Sequence, residues 1–213
     1  MSDEDKERDD VDVSSIVPST RDFLQSIATR RKRLALVTRV DAEDEARALS
    51  GSIAAIACAS TGSAMRAIAL AAGHTPVLAS SPISSEQDAL RARACGADAV
   101  LIDARIDASA FASLGKHARS TRMAAVGLAV DAPSAQRAAA AGVKAIFVRA
   151  SSLDALLGAV AAVAPAMRVI AHLIDADGAL LRSLVGRVDA ALIEPIVHRA
   201  ASFEALRAEL DPD

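Results

Sequence analysis

Residues 76–103 read PVLASSPISSEQDALRARACGADAVLID, and their reading decides the fold. Pro76–Ser80 is a short apolar run of strand length. Ser85–Cys95 has a helical pattern, and Gly96 stands where a left-handed helix cap belongs. Ala99–Asp103 is a second apolar run. Continuous apolar runs of this kind are expected of parallel strands covered on both faces, with the intervening helix as the crossover.

The same unit extends in both directions. Glycines close helical stretches at Gly51, Gly73, Gly142 and Gly186, so that one unit is about 22 residues long. Two units lack the glycine, which places their helix ends near Arg119 and Ala164. The remaining strands are Leu34–Val40, Ile53–Ala59, Ala124–Val130, Ala145–Arg149, Val169–Leu173 and Ala190–Glu194. Helix starts are marked by Asp41-Ala-Glu and Asp131-Ala-Pro, with each Asp as N-cap and Pro133 in the first turn. Ser134–Ala141 is one of the Ala-rich helices. Strands and helices alternating at constant period predict a closed (β/α)8 TIM barrel in a minimal, short-loop form. An open doubly wound sheet is the alternative. It would carry a glycine-rich phosphate loop after its first strand, whereas here that strand runs into Thr38–Glu43 without a glycine.

Before the repeats, Ser19 or Thr20 is placed to cap an extra N-terminal helix, Arg21–Arg33, with Phe23, Leu24, Ile27 and Ala28 on one face. Its basic end, Arg30 to Arg33, suits the negative end of a helix dipole, or alternatively an acidic partner. Met1 to Val13, MSDEDKERDDVDV, is too charged to bury apolar surface and is read as a disordered acidic tail, or as a partner-binding arm. Residues 14–213 then form one barrel domain. Ser202 is the candidate cap of a last helix, Phe203–Leu210.

The chain is 52% hydrophobic but only 2% aromatic, with no Trp or Tyr, so its core is aliphatic and base stacking is largely unavailable. A net charge of −3 gives no reason to expect nucleic acid. No apolar run reaches the roughly 18 residues of a membrane span, and the N-terminus is unlike a signal peptide. Cys58 and Cys95 lie in apolar or helical patterns without a CxxC or Cys/His cluster. Both are read as reduced, and the protein as cytoplasmic.

Several segments resemble the indole-3-glycerol phosphate synthase family of tryptophan biosynthesis. TRDFLQSIATRRKRLAL (20–36) is similar to its N-terminal helix and first strand. TPVLASSPISSEQDALRARACGADAVLIDARID (75–107) is similar to its third and fourth strands, while 123–153 and 190–210 parallel later ones. The resemblance implies a lyase barrel, but the positions matching that family's catalytic groups hold other residues. Its first-strand Glu and Lys fall on Leu36 and Thr38, and its second lysine falls in Ala79–Pro82. Its fifth-strand Glu falls on Leu128, its sixth-strand amides on Arg149 and Ala150, and its seventh-strand Glu on His172. Its phosphate-binding Gly-Glu falls on Glu194 and Pro195. The long first loop is also missing.

What remains at strand C-terminal ends is Arg39, Asp103, Arg149, His172 and Glu194. His172 and Glu194 are the candidate catalytic pair, since a histidine beside a carboxylate can move a proton. Arg39 and Arg149 are the candidate anion-binding groups. An internal ion-pair cluster is the plainer reading. Asp175 and Asp177, followed by Gly178, form an N-cap turn rather than a calcium loop, because later ligands are missing. His74 and His117 suit surface roles. No metal or cofactor is expected. The sequence leads to a catalytically degenerate relative of the synthase, acting as a binding or assembly subunit, with self-association or a protein partner. The alternatives are a lyase or isomerase acting on a small anionic, phosphorylated substrate, and residual synthase activity.

Overall fold

The computed structural model describes residues 16–29, 33–173 and 177–194, together with 205, 206, 208 and 210 in the C-terminal segment. The acidic 1–13 segment, Asp175 and the Ser202 cap lie outside them. Eight parallel strands close in chain order into one barrel. They are β1 Ala35–Arg39, β2 Ala55–Cys58, β3 Val77–Ile83, β4 Ala99–Asp103, β5 Ala124–Ala129, β6 Ala145–Ala150, β7 Arg168–Leu173 and β8 Ala190–Ile193. The ring is closed by β1 pairing with β8 through Ala35–Ala190 and Val37–Leu192. After a short α1 (Phe23–Ser26), the helices are α2 Glu43–Leu49, α3 Gly62–Ala71, α4 Glu86–Ala94, α5 Ala108–Ser120, α6 Ala132–Ala140, α7 Leu153–Ala161 and α8 Gly178–Leu184. The expected TIM barrel is the observed fold.

Strand side chains alternate between two packed layers, as the pleat requires. Leu36, Ile56, Cys58, Val77, Val100, Ile102, Val148 and Val169 belong to the larger layer, packed under the helices. Val37, Ala57, Leu78, Leu101, Val126, Leu128, Phe147, Ile170 and Leu192 fill the barrel itself. With so many alanines on β2, β4 and β8, the interior is filled only because Phe147 and the larger aliphatics stand opposite them. Small residues also let helices sit close. A Cβ on Gly127 of β5 would lie 2.5 Å from the Ala138 Cβ of α6.

The glycine periodicity is physical. Gly51, Gly73, Gly96, Gly142 and Gly186 all take positive φ. Gly96 is doubly constrained, since φ is +98° and a Cβ would meet the Ala69 Cβ at 2.6 Å. Where a glycine is missing after α5, Arg122 takes φ 58° instead. Asp131 caps α6 and Ser85 caps α4, each in a reciprocal box with the third residue of its helix.

Two expectations are corrected. Asp41 is not an N-cap. Ala42 holds that position without a side-chain bond, and Asp41 pairs with Arg39 instead. The N-terminal helix is one turn, with Asp22 as its cap, because Arg21 is drawn away into the barrel's N-terminal rim. Phe23 and Ile27 still do what the pattern demanded. They are 1% and 0% exposed and pack on Ala35, Ala55, Ala99 and Ala190, plugging the barrel at the strand N-termini.

Candidate functional site

The rows of inward-facing residues continue past the apolar filling. After Val37, Leu101, Phe147, Ile170 and Leu192, the next inward positions are Arg39, Asp103, Arg149, His172 and Glu194. All five sequence-derived candidates therefore share the layer capping the filled barrel at its C-terminal mouth. Four of them lie on or directly after the consecutive strands β6, β7, β8 and β1.

Three of these groups are in contact. His172 Nε2 is 3.0 Å from Glu194 Oε1. The other oxygen, Oε2, is 3.6 Å from Arg39 Nη1, and Arg39 Nη2 is 3.3 Å from Asp41 Oδ2. The carboxylate of Glu194 is thus held between an imidazole and a guanidinium. The His172 side chain is 11% exposed, that of Glu194 33%, so the carboxylate stands nearer the solvent. Behind, the His172 ring leans on Phe147, with centroids 5.6 Å apart at 57°. His172 Nδ1 is buried and has no hydrogen-bond partner among the described residues. Burial pushes the imidazole below the ordinary histidine value. The Glu194 charge opposes this, and Arg149 and Arg39 reinforce it. In the neutral ring, the form that burial favours, an Nε2–H would donate to Glu194.

Arg149 is the register partner of His172 across β6 and β7. Its side chain is exposed, and it makes no ion pair or hydrogen bond among the described residues. Asp103 stands apart. Arg105, two residues on, hydrogen-bonds both its oxygens and holds its carboxyl below the usual range. That pairing was not anticipated, although the Asp-Ala-Arg turn brings the two within reach. Cys58 lies in the layer under the helices, where burial pushes its thiol up. Neither Cys58 nor Cys95 is in a disulfide among the described residues. Among the described residues no cluster of His, Cys, Asp or Glu is placed to hold a metal, and no helix is long and apolar enough to cross a membrane.

A concavity of about 700 Å³ lies near the opposite rim, lined by Val17, Arg21, Arg66, Leu70, His74 and Arg93. Its buried ionisable groups already satisfy one another. Asp98, 1% exposed, accepts from Arg21 Nε at 2.7 Å, Arg93 Nη1 at 3.1 Å, Ser19 Oγ at 2.6 Å and Val77 N at 2.8 Å. Arg21 also donates to the carbonyls of Ala69, Gly73, Thr75 and Gly96. Sequence reasoning missed this network. A signal existed, since Asp98 and Asp189 precede β4 and β8 in like contexts, and each accepts from the neighbouring strand, from Val77 N and Val169 N.

No family model matches the sequence, and a search of the curated proteins found no match. Among solved structures the chain is similar to a 3-hexulose-6-phosphate synthase at 23% identity and TM-score 0.62, covering 83% of this chain and 98% of that one. A 3-hexulose-6-phosphate synthase from Salmonella typhimurium matches at 16% identity and TM-score 0.66, over 83% and 96% of the two chains. The 3-keto-L-gulonate-6-phosphate decarboxylase from Vibrio cholerae matches at 14% identity and TM-score 0.64, over 84% and 98%. At these identities the likeness shows the fold.

These neighbours overturn the resemblance to indole-3-glycerol phosphate synthase, and with it the assignment to tryptophan biosynthesis. The physical reason lies in the best-matching stretch. Gly96 and Asp98 of its GADA segment build the N-terminal rim, and Ala99 and Leu101 fill the barrel, so what matched was barrel architecture. The degenerate-subunit reading falls too. It took the missing synthase groups as chemistry lost, but a barrel with different chemistry has no need of them.

Proposed function

We propose that this chain is an enzyme acting on a small phosphorylated substrate of the sugar-phosphate kind, as a lyase or isomerase. In this reading Glu194 transfers the proton, and His172 and Arg39 hold it in position. The observation that carries this reading is the Glu194 carboxylate, fixed by His172 at 3.0 Å and Arg39 at 3.6 Å over an apolar barrel filling. The solved barrels to which the chain is similar, by their names a hexulose-phosphate synthase and a keto-gulonate-phosphate decarboxylase, support the substrate class.

The geometry distributes the roles. His172 is poorly placed to serve as the direct base, since Nδ1 is buried and Nε2 is engaged. Glu194 is the group a ligand would meet. A carboxylate with both oxygens oriented and little freedom to rotate is pre-organised to remove a proton next to a carbonyl and return it elsewhere. The low-dielectric floor strengthens each of these interactions. Purified protein tested against pentose and hexose phosphates should turn over at least one. Glu194→Gln should then lower kcat by about 100-fold or more, with circular dichroism unchanged. Absence of turnover across the panel, or a Glu194→Gln variant of undiminished rate, would reject the proposal.

A further inference from the structure

The two arginines of the mouth are not equivalent. Arg39 is spent on neighbours, with one nitrogen toward Asp41 and another toward Glu194. A guanidinium bridging two carboxylates has little left to offer an incoming anion. Arg149 is different. It continues the inward row of Ala145 and Phe147, its side chain is exposed, and it makes no ion pair or hydrogen bond among the described residues. Its strand lies two places from that of Glu194, so the two backbones are about 10 Å apart, with His172 between them.

We propose that Arg149 alone anchors the oxyanion of the ligand, at a seat above His172, while Arg39 serves only to position Glu194. The assignment rests on the reading of the mouth given above and deepens it. The ligand is a molecule of a few carbons carrying a phosphate monoester or a carboxylate at one end. Its reacting carbon lies at the other end, against Glu194. A planar guanidinium takes either oxyanion through two parallel hydrogen bonds. The seat has a second consequence. His172 faces Arg149 from β6, Glu194 just after β8 and Arg39 from β1, with Asp41 beyond it, while Leu156 of α7 and Leu181 of α8 belong to the layer outside the sheet. An anion on Arg149 offsets one of the two cations that disfavour imidazolium, so binding and protonation of His172 favour each other.

The test is a titration of wild type, Arg149→Gln and Arg39→Gln with inorganic phosphate and, separately, acetate, following the His172 ring protons by NMR. Saturable phosphate binding is expected in wild type and Arg39→Gln, with at least tenfold loss in Arg149→Gln. Tighter binding of phosphate than acetate marks a phosphate monoester as the ligand, and the reverse marks a carboxylate. Phosphate should raise the His172 pKa in wild type and leave it unchanged in Arg149→Gln. Loss of binding in Arg39→Gln instead, or equal binding in all three proteins, overturns the assignment. If wild type turns over a sugar phosphate with a KM indifferent to Arg149→Gln, the anchor fails while the Glu194 reading stands. If neither binding nor turnover is seen, both fail.

Discussion

The two rims of this barrel handle charge in opposite ways. At the strand N-termini, Asp98 is 1% exposed, and its oxygens are met by two arginines, a hydroxyl and a backbone amide. At the strand C-termini, Glu194 has two partners and remains a third exposed, His172 keeps an unmatched nitrogen, and Arg149 has no ion pair among the described residues. A saturated network resists change and can only stabilise. An unsaturated one costs stability and keeps its hydrogen-bonding capacity for something that arrives later.

The contrast can be broken by mutation. Asp98→Ala removes a buried carboxylate that accepts from two half-buried arginines, a hydroxyl and a backbone amide, and should cost about 3–5 kcal/mol in urea unfolding. A loss below about 1 kcal/mol would remove the claim that this rim is structural. Gly127→Ala pushes α6 off β5 and should cost about 1–3 kcal/mol, as in overpacked cores generally. Thermal melts would read it.

The mouth should answer to pH instead. The pKa of His172 is lowered in the fold, so the folded state binds fewer protons than the unfolded chain. Its contribution is whole above the ordinary histidine value of about 6.5 and is lost as pH falls through the lower folded value. Stability of wild type should therefore decline below about pH 6.5, while the profile of His172→Gln stays flatter there. Equal profiles would mean that the ring is not strained by burial. The smallest effect is expected at the Asp103–Arg105 pair, whose arginine is exposed, where Arg105→Gln should leave Tm unchanged.

The architecture was open to sequence reading because its signals are local and repeated. Most helices here turn back into a strand through a left-handed cap, so Gly73, Gly96 and Gly142 keep time along the chain. The site was legible as a set, because strand alternation fixes which residues face the mouth once the inward row is known. Its pairings were not. Asp41 goes to Arg39 rather than to a helix end, and Asp103 goes to Arg105, because loop paths decide which side chains meet. The family was misread for a related reason. Residues such as Asp98 answer to a demand made by any barrel with this rim, and carry no record of what the other rim does.

The plug formed by Phe23 and Ile27 has a consequence for assembly. It lies outside the eight strand–helix units yet belongs to the same buried cluster as Ala35, Ala55, Ala99 and Ala190. Cutting it away would bare an apolar disc at that end of the barrel, a surface prone to sticking to another copy.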